Sequence, residues 1–102
     1  MAVPETVRKL ALALPDTVER PSYGTPGFFV KKKLFARLLP DGETVVIKID
    51  FGPREILMQA NPQAYDITDN YLNYPLMIVV LSAVTSKELC ELLEDAWQFA
   101  AE

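Results

Sequence analysis

The chain predicts an α+β fold in two layers, a mostly antiparallel five-stranded sheet with its helices on one side, in the order α-β-β-β-α-β-β-α. Three observations carry this. Segments near both ends repeat apolar residues at helical spacing. Short runs in the first half alternate as strands do and meet at a Pro-Asp-Gly turn. Finally, Leu76 to Leu81 is a continuous apolar run of strand length, rich in β-branched residues.

The first helix is expected from Pro4 to Leu14. Proline suits a first helical position, where its missing N–H costs nothing. Val3, Val7, Leu10, Ala11 and Leu14 form one apolar stripe, and Pro15 ends the helix by disfavouring helical geometry in the residue before it. Asp16 to Gly27, with Pro21, Gly24 and Pro26, reads as an irregular connector. Three strands follow: Phe28–Lys31, Leu34–Leu39 and Thr44–Ile49. Pro40-Asp41-Gly42-Glu43 turns the second into the third, and Val45, Ile47 and Ile49 should face the core. In the second strand the inward set is open: Leu34, Ala36 and Leu38, or Phe35, Arg37 and Leu39. A short helix is expected from Pro53 to Ala60, capped by Gly52, with Ile56, Leu57 and Ala60 buried and Asn61-Pro62 closing it. Tyr65–Thr68 reads as a short strand or extended segment, and Leu76–Leu81 as a central strand buried on both faces. The last helix opens on the capping box Thr85-Ser86-Lys87-Glu88 and carries Leu89, Leu92, Leu93, Ala96, Trp97 and Ala100 as its buried stripe.

The 102 residues suit one domain. No apolar run approaches the roughly 18–20 residues a membrane span needs. Pro4, Glu5 and Arg8 stand where a leader would be basic and then apolar, so a cytoplasmic protein is expected. A lone Cys90 fits a reducing compartment. The net charge of −4 is uneven: residues 1–50 carry eight Lys/Arg against six Asp/Glu, residues 51–102 two against eight.

The absence of histidine removes the commonest general base and metal ligand. No glycine-rich nucleotide loop and no metal-binding cysteine spacing occurs. The expectation is therefore a non-enzymatic protein without cofactor or metal. Cys90 sits beyond the first turn of the last helix, where a dipole activates a thiolate little. Glu88, Glu91, Glu94 and Asp95 make a solvated acidic face, and nothing marks Asp66 and Asp69 as a paired acid–base site.

Two clusters remain. Lys31, Lys32 and Lys33 fall at the first hairpin turn, with Arg37 and Lys48 on the strands beyond. If Arg37 and Lys48 share the sheet face away from the helices, with Phe35 and Val46, cations and an aromatic would combine as in a single-strand nucleic-acid platform. The same lysines are also what a solvated turn guarding a sheet edge contains. Tyr65, Tyr71 and Tyr74, beside Asn70 and Asn73, are either a recognition surface or aromatic packing of a loop. A small-ligand pocket between the connector and this loop is a third option. A protein partner or homodimer on an apolar outer sheet face is a fourth.

Leu12-Ala13-Leu14-Pro15, Glu19-Arg20-Pro21-Ser22-Tyr23-Gly24-Thr25-Pro26, Phe29-Val30 and Lys33-Leu34-Phe35-Ala36 resemble the MmcQ/YjbR family, as do Ala60-Asn61-Pro62 and Leu89…Leu92-Leu93…Ala96-Trp97. The resemblance covers essentially the whole chain, residues 1–102. It implies an α-β3-α-β2-α fold with an antiparallel sheet, related to secretion-chaperone-like and frataxin-like (CyaY-like) architectures. It also implies the DNA-binding label attached to the family through a "double wing" arrangement. The family-pattern residues are Glu19, Tyr23, Gly24, Pro26, Lys33 and Phe35. A pairing of Glu19 with Lys33 would pin the connector to the hairpin. The sequence departs from the family at Lys32-Lys33, where Gly-Lys is usual, and at Leu76-Met77-Ile78, where Gly-Trp-Val is common. The expected nucleic-acid contacts are Lys31, Lys32, Lys33, Arg37 and Lys48.

Overall fold

Val7 and Ala11 lie one helical turn apart, and both are fully buried where helix α1 (Pro4–Leu12) meets the core. The computed structural model, which describes residues 2–102, builds the rest of the chain around that contact. Strands β1 (Val18–Ser22), β2 (Thr25–Val30), β3 (Lys33–Leu38) and β4 (Thr44–Lys48) lead to helix α2 (Phe51–Ala60). Strands β5 (Tyr65–Asp66) and β6 (Leu76–Val80) and helix α3 (Ser86–Ala101) complete the fold. The sheet is antiparallel throughout, in the order β1-β2-β3-β4-β6-β5.

The α+β class and the antiparallel sheet agree with the sequence reading, but there are six strands rather than five. The added strand, β1, lies in the segment expected to be irregular. Its proline is tolerated because β1 is an edge strand, where a missing N–H breaks no ladder. Tyr23 (φ +52°) and Gly24 (φ +82°) join β1 to β2 in a two-residue turn whose central residues are both left-handed, the geometry that matches strand twist.

Helix α3 spans the middle of the sheet. Thr85 Oγ1 accepts the Glu88 N–H at 3.1 Å and Glu88 Oε1 accepts the Thr85 N–H at 2.9 Å, completing the expected capping box. The Thr85 backbone N–H, and after it the Thr85 hydroxyl, hold the Glu88 carboxyl below its ordinary pKa. Leu89, Leu92, Leu93, Ala96 and Ala100 pack onto the sheet face formed by Phe28, Val45, Ile47, Met77 and Val79. Trp97 donates its indole N–H to the Pro15 carbonyl at 2.9 Å, tying the exit of α1 to α3.

Several local expectations are corrected. Helix α2 begins at Phe51, and Asp50, not Gly52, caps it by accepting the Phe51 N–H at 2.8 Å. Asn61 ends α2 with φ −148°, outside the left-handed region. Ile56 is 68% exposed and Ala60 is exposed as well; the buried residue of α2 is Arg54. Strand β6 is buried on the helix side only, through Met77 and Val79, because α1 and α3 cover one face of the sheet. In β3 the register skips Phe35: Phe28 pairs with Ala36 and Phe29 with Leu34. This bulge puts two consecutive side chains, Phe35 and Ala36, into the core and sends Leu34 to the outer face. Phe35 is therefore not on the outer face.

The β2–β3 turn has Lys31 (φ +50°) and Lys32 (φ +66°) at its centre, two non-glycine residues in left-handed geometry. Lys32 makes no side-chain hydrogen bond among the described residues, so nothing local offsets its strain. Lys32→Gly is expected to raise stability by about 1 kcal/mol, since an L-residue costs roughly that much in left-handed geometry. The melting midpoint should rise by about 5 °C.

Candidate functional site

Strand pairing aligns Arg20, Gly27, Arg37, Val46, Ile78 and Asp66 in one row across the sheet, on the face away from α3. Around Arg37 and Val46 this face sinks into an open groove of 480 Å³. Tyr23 stands over Arg37 at one end, Leu34, Val46, Lys48 and Leu76 rise from the neighbouring strands β3, β4 and β6, and Asn70, Tyr71 and Tyr74 come from the loop that leads into β6. It falls where the third option placed a pocket, between the connector and the tyrosine loop, but it is open rather than enclosed.

Each wall has a local cause. The left-handed Tyr23–Gly24 turn brings Tyr23 to Arg37, whose guanidinium carbon lies 5.3 Å from the ring centroid. Arg37 Nη1 also donates to Thr25 Oγ1 at 2.9 Å, so its side chain is fixed before any ligand arrives. Gly27 keeps the neighbouring surface low: a Cβ there would stand 2.9 Å from Ser22 Cβ and 3.0 Å from Leu34 Cδ1. On the far side, Arg54 reaches from α2 to the carbonyls of residues 71–76 and holds the tyrosine loop against the sheet. No carboxylate lines the groove, and Arg8–Glu19 is the ion pair formed among the described residues, so neither Arg37 nor Lys48 is neutralised by one.

Of the five expected cations, the structure brings Arg37 and Lys48 together. Lys31 and Lys33 point elsewhere: their ammonium groups donate to the main-chain oxygens of Ala101 (3.4 Å) and Glu102 (3.0 Å). Cations are favoured there by the helix dipole, and Lys32 is exposed at the turn. Among the family-pattern residues Tyr23 alone reaches the groove. Glu19 pairs with Arg8 at 2.8 Å, on the helix side, and not with Lys33. Glu19, Gly24 and Pro26 line a separate cleft with Arg8, Arg20, Pro21 and Thr25. Phe35 is core.

The tyrosine cluster divides. Tyr65 is buried in β5, where burial, then the Glu88 carboxylate, pushes its phenol pKa up. Tyr71 and Tyr74 belong to the groove, Tyr74 being 60% exposed. Cys90 donates to Glu94 Oε1 at 3.1 Å, and that bond, with burial, raises its pKa away from the reactive thiolate. Leu34 and Arg54 were not legible as site residues. Leu34 needs the bulge. Arg54 left one signal: it shares a helical stripe with Leu57 and Met58, at i+3 and i+4, where an exposed cation is out of place.

A two-layer α+β protein with a cationic, tyrosine-walled groove on its open sheet face is the class this geometry defines. The YjbR family model matches residues 12–99, and the chain belongs to that family. Its fold is similar to the crystal structure of Deinococcus radiodurans protein DR2400, a DUF419-domain protein, with a TM-score of 0.85 and 23% sequence identity over 100% of this chain and 80% of that one. No curated protein matches the sequence significantly. No helix among the described residues is long and apolar enough to cross a membrane.

Proposed function

We propose that the protein is a non-enzymatic binding module whose outer-face groove takes single-stranded nucleic acid. The observation that carries this is the juxtaposition of two cations unpaired with any carboxylate, Arg37 and Lys48, with Tyr23, Tyr71 and Tyr74. Phosphates need the first and unstacked bases the second, and stacking is tolerant of sequence. A duplex hides its base faces and gains nothing from the tyrosines. The acidic second half of the chain limits affinity and favours binding confined to this face.

Fluorescence anisotropy with a labelled oligothymidylate at low salt tests the reading. Two phosphate contacts predict a slope of log K against log salt of about −1.4. Arg37→Gln with Lys48→Gln should abolish most binding, Lys32→Glu should change it little, and a duplex of equal length should bind less. A flat titration, or loss of binding through Lys32 rather than Arg37, would reject it. The half-buried Leu34, Leu76, Ile78 and Val80 on the same face support a second reading, docking of a protein or a second copy. Concentration-dependent mass in sedimentation, with no oligonucleotide binding, would favour that one.

A further inference from the structure

Arg54 is the buried charged side chain of the described residues, 6% exposed, and it faces no carboxylate. Its Nη1 donates to the carbonyls of Tyr71 (3.0 Å), Tyr74 (2.8 Å) and Leu76 (3.1 Å), and its Nη2 to that of Leu72 (3.1 Å). The Phe51 ring lies 4.8 Å from the guanidinium carbon. A helix that merely closed the core would carry an apolar residue at this place, as it does at Leu57 and Met58. Burying a cation is costly unless dipoles surround it. Here three carbonyls of one short loop and that of Leu76, the first residue of β6, supply them, and a planar guanidinium fork is the side chain that can collect several at fixed angles.

The residues whose carbonyls turn in to Arg54 include Tyr71, Tyr74 and Leu76, whose side chains line the groove. Carbonyl and side-chain directions along a short turn are not independent, so fixing the first restricts the second. We infer that Arg54 is a positioning residue for the groove: from the far side of the backbone it sets the direction of the tyrosine wall without touching the ligand. This rests on the reading that the groove is the binding surface. Groove occupancy and loop order then form one equilibrium. If a variant holds the wall a tenth of the time, its apparent affinity falls about tenfold with no contact removed.

The test uses the full chain with Arg54→Met and Arg54→Lys, and Arg37→Gln for contrast. Labelled oligothymidylate reads affinity, amide exchange at residues 71–76 reads the wall, and Trp97 emission reads the helix layer. In Arg54→Met, affinity should drop about tenfold and loop exchange should accelerate, with Trp97 unchanged. Saturating oligonucleotide should slow that exchange again. Arg54→Lys should fall between, and folds if the Met variant does not. Arg37→Gln should lose affinity with loop exchange unchanged. Wild-type affinity in a folded Arg54→Met, or loop exchange indifferent to Arg54, overturns the inference. If the wild-type protein binds no oligonucleotide, the groove reading and this role fall together; accelerated exchange in Arg54→Met would then leave Arg54 as a loop clamp alone.

Discussion

Phe35→Ala is expected to lower unfolding stability by about 4 kcal/mol, within the range for emptying a buried aromatic site. The melting midpoint should fall by about 20 °C. The size follows from the β2–β3 bulge. Regular alternation would send Phe35 to the outer face beside Arg37, where truncation costs little; the skipped register turns it into the core, at 0% exposure. Leu34→Ala is the matched control. It lies on the outer face, half-buried over Gly27, and should cost no more than about 2 kcal/mol. Urea unfolding of both variants, with the slope m unchanged, distinguishes the two placements. Equal costs, or a larger cost at Leu34, would show that the bulge is absent. The comparison also bears on function, because an outward Phe35 would fill the groove that Arg37 and Lys48 border.

What the sequence makes legible is what local periodicity records. The stripe of α3, its capping box, the inward set Val45, Ile47 and Ile49, and the Asp41 turn all depend on neighbours within a few residues. Asp41 Oδ1 accepts the N–H groups of Glu43 (2.8 Å) and Thr44 (3.0 Å), as an Asx-type turn does, and these bonds with Thr44 Oγ1 lower its pKa. Illegible features depend on partners far along the chain. Pro21 argues against a strand until β1 is known to be the edge. Lys31 and Lys33 read as a ligand patch until the end of α3, some seventy residues on, is brought beside them. Tyr71 and Tyr74 could be recognition or packing, and only the sheet beneath them separates both from Tyr65. Half the candidate site, Arg37 and Lys48, was visible because two neighbouring strands alternate in register. The other half depends on a buried arginine that composition counts as surface charge.

Arg54→Met is expected to cost about 3 kcal/mol, the range seen when a buried hydrogen-bonded charge loses its partners or its carbonyls lose theirs. The sign is not automatic. Methionine removes the penalty of burying a cation, and its flexible thioether adapts to irregular apolar space. It leaves, however, four carbonyls converging on an apolar side chain, and backbone acceptors that face no donor carry their full desolvation cost. Arg54→Lys should cost less, about 2 kcal/mol, since an ammonium keeps the charge but has three donors and no planar fork. Because Arg54 is 6% exposed, added salt should leave both costs unchanged, whereas an exposed ion pair such as Arg8–Glu19 is screened. The slope m then says where the energy goes. If the clamp holds one loop to an otherwise intact sheet, part of the loss appears as fraying of residues 67–76 before global unfolding, and m falls. If m holds, the loop and the core unfold together, and the buried cation joins α2 and β6 into one cooperative unit.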